Sequence, residues 1–283
     1  VTAVGENARD GLHEPLAVGD RVAVEPTISC WHCDMCEQGH PNLCRNHWFM
    51  GLWPHDGALQ EYVTVPARNC FKLPDALSLE VGALLEPLGV AIHAVDLAKI
   101  RIGQTVAVQG CGPIGLMIIK LVQLSGAGQV IALDQFAWRL AAARDWGADH
   151  VVDITQADPA AAVKALTGGR GVPVVIEAAW AGVAVSQAVE MADLGARIVL
   201  VGIPGEDDAF FTHSTARRKG LTLKLSRRMK HAYPRAIPLT VQGALDLEAL
   251  VSHRFGLAGT GEAFEINAHY ADDVLKVMVN PGE

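Results

Sequence analysis

From Thr105 the chain reads TVAVQGCGPIGLMIIKLVQLSGAGQVIALD, and no other stretch restricts the possible folds as strongly. A short apolar run leads into Gly110, Gly112 and Gly115, spaced as G-x-G-x-x-G; an apolar helical stretch follows, then a second apolar run ending at Asp134. Strand, tight turn, helix and strand make a βαβ unit. The first two glycines allow a turn whose backbone N–H groups can reach a pyrophosphate, and the third lets the helix pack closely on the strand. Pro113 suits the first helical position, and with Ile114 it completes the turn expected to hold the cofactor. Asp134 lies about 20 residues past that turn, where a carboxylate accepts hydrogen bonds from ribose hydroxyls and repels a 2′-phosphate. NAD is therefore expected over NADP, with Arg139 able to offset the repulsion if it points inward.

The pattern continues beyond this unit. Apolar strands are expected at 150–153, 172–178 and 197–202, separated by helix-compatible segments such as 136–146 and 181–193. Such alternation predicts an α/β fold with a doubly wound parallel sheet. Upstream, RVAVEP, ALQEYVTVP and CFKLP read as short strands punctuated by Pro and Gly. Downstream, 221–225 reads as a strand, 234–245 and 263–269 as helices, and DVLKVMV as a closing strand. The expected division is a discontinuous outer domain, 1–87 with 229–283, around a nucleotide-binding domain at 88–228.

Four of the six cysteines, Cys30, Cys33, Cys36 and Cys44, are spaced C-x2-C-x2-C-x7-C, while Cys70 and Cys111 stand alone. Four thiolates this close in sequence can surround a tetrahedral divalent ion, for which Zn2+ is the usual choice. An iron–sulfur cluster is the rival, but ferredoxin-type runs end C-x3-C-P, whereas Arg45 follows Cys44 here. Two disulfides are the remaining alternative. A set of four cysteines leaves no open position, so a metal here would hold a loop rather than do chemistry.

Composition limits the partners. Among 283 residues, 23 Lys+Arg stand against 31 Asp+Glu, a net charge of −8, so no nucleic-acid partner is expected. The richest apolar run, 105–121, is broken by Gln109, by glycines and by Lys120, which falls short of the ~18 continuous apolar residues of a membrane span. The first residues, VTAVGENARDG, carry neither the positive nor the apolar region of a secretory signal, and a cytoplasmic location is expected.

GDRVAVEP, the four-cysteine lobe, DGALQEYVTVP, FKLPD, ALLEPLGVAIHA, the glycine motif and VSHRF occur in the order found in the zinc-dependent medium-chain dehydrogenase/reductase family. Within it the chain most resembles the sorbitol, xylitol and L-iditol dehydrogenases, the polyol branch. The resemblance implies a Rossmann domain plus a partial GroES-like β-barrel catalytic domain, a homodimer or homotetramer, and hydride transfer from a secondary alcohol to NAD+. Threonine and 2,3-butanediol dehydrogenases share this scaffold and are the alternative. It also implies that the cysteine lobe holds a structural zinc. Glu86, in LLEPLG, matches the carboxylate lying at the catalytic zinc, directly or through water. Arg228, in RRMKHAYP, matches an arginine of the substrate pocket, and Lys276 a basic residue near the cofactor pyrophosphate.

One departure bears on catalysis. The family's catalytic zinc also needs a cysteine and the histidine of a Gly-His-Glu motif, both upstream of the VxxVG segment that here is VTAVG. The chain is thus expected to be missing its N-terminal segment, and a catalytic zinc is expected only with it; without it, the alternative is a non-catalytic NAD- and zinc-binding module. GLHEP, with His13 and Glu14, is a tempting substitute but occupies a variable surface turn. His93 is expected to be packed, and Cys70 and Cys111 to be buried thiols.

Overall fold

The computed structural model describes residues 1–205 and 208–282. It divides into two compact units, one of Val1–Gly89 with Arg228–Glu283 and the other of Val90–Arg227. The first unit begins with β1 (Val22–Val24), β2 (Thr27–Ile28), the single turn α1 (Asp34–Glu37), β3 (Trp48–Phe49) and β4 (Cys70–Lys72). β1 pairs antiparallel with β4 and β2 with β3, so RVAVEP and CFKLP form strands that face each other. The strand expected from ALQEYVTVP does not form. Residues 58–64 are exposed and no described strand pairs with them. Alternating side chains favour a strand only where an edge is present to receive its N–H and C=O groups, and this segment has none.

α2 (Leu79–Ala98) follows, with the Ser78 hydroxyl accepting the Val81 N–H at 3.1 Å at its start. Its length and mean hydropathy of 1.5 would suffice to cross a membrane, but 61% of its apolar window is buried inside the protein. Leu84, Leu85, Leu88, Ala91 and Ile92 are almost fully enclosed, which is the pattern of a core helix.

The second unit alternates strand and helix: β5 (Thr105–Gln109), α3 (Pro113–Leu124), β6 (Gln129–Asp134), α4 (Ala137–Asp145), β7 (His150–Asp153), α5 (Pro159–Leu166), β8 (Val172–Glu177), α6 (Gly182–Met191), β9 (Ala192–Leu200), α7 (His213–Lys219) and β10 (Thr222–Leu225). The strands form one parallel sheet in the order β10-β9-β8-β5-β6-β7. Sequential strands run outward from β5 first one way and then the other, so the order reverses between β5 and β8, the position at which doubly wound sheets receive ligands. Ala107, Ile131, Leu133, Val175 and Ile198 are buried at the centre, as expected for strands covered on both faces. The strand expected at 197–202 starts earlier, because the chain leaves α6 directly into extended backbone at Ala192 (φ −70°, ψ 142°).

The first unit resumes with α8 (Tyr233–Val241), β11 (Val251–Gly256), α9 (Thr260–His269) and β12 (Lys276–Asn280), which pairs parallel with β11. α8 stops short of the expected 245, since Gly243 takes a left-handed φ of +68° just beyond it. Tyr233 fastens this half of the unit to the other. Its ring stacks on Phe71 at 4.3 Å and its hydroxyl donates to the Val24 carbonyl at 3.0 Å.

Candidate metal, dinucleotide and substrate sites

The cysteine lobe is folded around its thiols. Sγ atoms of Cys30, Cys33, Cys36 and Cys44 all lie within 4.8 Å of one another. Cys44 Sγ is 3.5 Å from Cys30 Sγ and 3.9 Å from Cys33 Sγ, too far for bonded sulfurs, and all four cysteines are free thiols. The two-disulfide alternative is thereby set aside. Cys33 is the N-cap of α1, so this one turn carries Cys36 back towards it. Arg45 clamps the turn from outside through a bidentate pair with Asp34, at 2.6 and 2.7 Å. The backbone N–H of His32 beside Cys30 pulls its thiol down to about 6, while burial pushes Cys36 up to about 12. His32 and His47 each turn Nδ1 to a carbonyl of the lobe, those of Cys30 and Cys44, at 2.6 and 2.8 Å. Four convergent sulfurs with further N–H donors to them fit a tetrahedral Zn2+.

The glycine turn is equally explicit. Gly110 has φ +94°, and a methyl there would come within 2.7 Å of the Ala178 carbonyl oxygen. At Gly115 a methyl would overlap the Gly110 carbonyl oxygen. Gly112 differs: an added methyl would meet nothing of the protein closer than Arg139 Nη1 at 3.8 Å, which leaves open a cradle for a phosphate. Gly112 is the N-cap of α3 without a side-chain acceptor, and Pro113 fills the first turn, so the helix's leading N–H groups have no side-chain cap. Asp134 is buried. Its Oδ2 accepts the Cys111 N–H at 2.7 Å, and its Oδ1 accepts those of Gln135 and Phe136 at 2.8 and 3.0 Å, so the carboxylate knots the turn to the end of β6. Arg139 lies against Phe136 and Trp138, with its guanidinium carbon 5.1 and 5.7 Å from their ring centres. These residues fit a dinucleotide.

A third group of polar side chains lies in the first unit. Burial raises the Glu86 carboxyl above its usual range, opposed by the charges of Lys276 and Arg228. Arg228 is half-buried with its guanidinium 3.8 Å over the Phe49 ring, whereas neighbouring Arg227 is exposed. Sequence reasoning missed Glu25. Burial first, then the Glu86 charge, pushes its carboxyl up to about 7. It lines a cavity of about 160 Å3 with His13, Trp31, Arg68, Asn69 and His231. The signal available was a lone acid closing the apolar run of RVAVEP. Lys276 lines a separate, mainly apolar cavity of about 620 Å3 beside Leu79, Phe264 and Met278.

A catalytic zinc is not accommodated by the described residues. Only the four-cysteine cluster brings three or more metal-binding side chains together among them, and Glu86 and Glu25 have no cysteine or histidine completing a set. His13 shares a cavity with Glu25 but joins no such group. His93, Cys70 and Cys111 are buried, as expected.

Comparison with known proteins gives the family. The alcohol dehydrogenase GroES-like domain matches residues 1–75, and the zinc-binding dehydrogenase family matches 113–242. Sorbitol dehydrogenase of Bacillus subtilis is 34% identical over 281 residues, covering 99% of this chain and 78% of the relative. An alcohol dehydrogenase from Escherichia coli CFT073, solved in complex with NADH, superposes with a TM-score of 0.89 at 31% identity over 99% of this chain and 80% of that one. The 2R,3R-butanediol dehydrogenase of Bacillus subtilis does so with a TM-score of 0.82 at 32% identity, over 94% of this chain and 75% of that one.

Proposed function

This chain belongs to the zinc-type alcohol dehydrogenase family, and we propose that it oxidises one secondary alcohol of a polyol such as sorbitol, xylitol or L-iditol, using NAD+. Hydride leaves the carbinol carbon for the nicotinamide, the hydroxyl proton is released, and the ketone remains. What supports this reading is the Arg228 guanidinium lying 3.8 Å over the Phe49 ring in the same unit as the buried Glu86, whose carboxyl feels the charges of Arg228 and Lys276. A carboxyl and a guanidinium together offer acceptors and several fixed donors, which suits a substrate with many hydroxyls. Arg228, held over Phe49, would orient the polyol, and Glu86, with its raised proton affinity, would hold a proton close to it. Asp134 supports NAD over NADP, because a buried carboxylate disfavours a 2′-phosphate; Arg139 beside Gly112 acts in the opposite sense. The reading includes a small-molecule substrate, a cytoplasmic homodimer or homotetramer, and zinc held by the cysteine lobe.

Two observations favour other readings. The butanediol dehydrogenase likeness favours a smaller vicinal diol, with threonine as a further candidate on this scaffold. The missing cysteine and histidine partners around Glu86 favour an NAD- and zinc-binding module without turnover. Zinc content and NADH formation, measured on one preparation with sorbitol, xylitol, butanediol and threonine, separate them. Polyol turnover supports the polyol dehydrogenase, and zinc beyond the one ion the cysteine lobe would hold would overturn the reading that Glu86 lacks a ligand set. Turnover confined to butanediol or threonine replaces the substrate, and about one zinc with no turnover replaces the activity by binding alone.

A further inference from the structure

Glu177 is the last residue of β8 and stands, in register, beside Gln109, the residue that leads into the Gly110 turn. It is therefore at the reversal of strand order, and only 2% of it is exposed. Its Oε1 accepts the Ala179 N–H at 2.7 Å. The Gly202 N–H lies 3.2 Å from its carbonyl oxygen and also draws the carboxyl's proton affinity down, while the Val201 N–H meets the same carbonyl at 2.8 Å. One residue thus receives backbone donors from the segment after β8 and from the segment after β9. The three segments crossing here leave no slack: a methyl on Gly202 would strike the Ala179 carbonyl, and one on Gly110 would strike that of Ala178. Just beyond the clasp the two loops present Trp180 and Ile203, 66% and 68% exposed, as apolar surface at the sheet's carboxyl edge.

In a doubly wound sheet the dinucleotide lies across the crevice at the reversal, with its adenosine ribose at the acid ending the second strand. Here that acid is Asp134, on the β6 side, so the redox half extends over the β8 side. We propose that Glu177 is a positioning residue for the nicotinamide half of the dinucleotide, clasping the loops after β8 and β9 into the wall on which that half rests. The proposal rests on the dinucleotide reading above. The burial that pushes the carboxyl up to about 7, partly offset by the Ala179 and Gly202 N–H groups, is in keeping with a group kept for its geometry rather than its charge.

Titration of the full chain with NADH and, separately, with ADP tests it, since ADP reports only the adenosine half. Glu177→Leu removes both side-chain acceptor atoms and is expected to weaken NADH binding roughly tenfold while leaving ADP within about twofold. Glu177→Gln keeps one acceptor and is expected to weaken NADH about threefold. Should the leucine variant fail to fold, the glutamine variant decides alone. Unchanged NADH affinity overturns the proposal, and so does a parallel loss of NADH, ADP and melting temperature, which marks a purely structural role. Wild-type protein that binds neither nucleotide overturns the dinucleotide reading itself.

Discussion

Burial sets the behaviour of Glu25, with the Glu86 charge adding to it. Its carboxyl is raised from the usual 4.5 to about 7, so the folded chain binds a proton that the unfolded chain releases. Below the unfolded value both states are protonated and the contribution to stability is intact. As pH rises from 4.5 to about 7 the unfolded state ionises first and stability falls, and above that range the loss is constant. Glu25→Gln removes this dependence, and its melting temperature relative to wild type should climb across that window, by the equivalent of about 1–2 kcal/mol once partial solvation is allowed for. A pH-independent difference would show that the carboxyl does not titrate there. At Arg228, substitution by Lys keeps the charge and loses the planar stack on Phe49, so KM for the polyol should rise about tenfold with kcat little changed. A fall confined to kcat would instead place the guanidinium at the reacting carbon. At this scale the sequence was legible wherever spacing carried the signal, as with Cys30 to Cys44 and Gly110 to Asp134. Glu25 and Glu177 each end an apolar strand alone, and a lone acid at a strand end looks the same whether it enters solvent or turns back onto the backbone.

Elements show a different limit. The helices and parallel strands of the second unit were readable because most of their turns carry a glycine, proline or polar cap, whereas 58–66 needed knowledge of a pairing partner that periodicity does not contain. The junction of α6 and β9 makes the same point. No loop separates them, and the corner is held by Lys219, whose Nζ donates to the carbonyls of Val189, Glu190 and Ala192 at 2.8, 2.9 and 2.9 Å. A cation on the last carbonyls of a helix satisfies orphan acceptors and complements the dipole. Lys219→Met should therefore lower unfolding stability by about 1–3 kcal/mol in urea titration, with little relief from added salt. An effect that vanishes in salt would mean that the ammonium acts through solvent rather than through these carbonyls.

At the scale of the whole molecule, two cores form without sharing a ligand set. The cysteine lobe belongs to the first unit and the glycine turn to the second. Stripping zinc with a chelator should loosen the lobe and leave NADH affinity within about twofold, since among the described residues no cluster of three or more metal-binding side chains lies in the dinucleotide cradle. A loss of NADH binding that returns when zinc is restored would show the two to be coupled. The six thiols are distributed so that this can be followed chemically. Four converge on the metal position, and the other two, Cys70 and Cys111, are buried and held in the protonated, unreactive direction. The zinc-loaded protein should therefore consume almost no alkylating reagent. Each departing ion would expose a countable burst of nucleophilic sulfur, which makes the chain's own cysteines a running gauge of its metal occupancy.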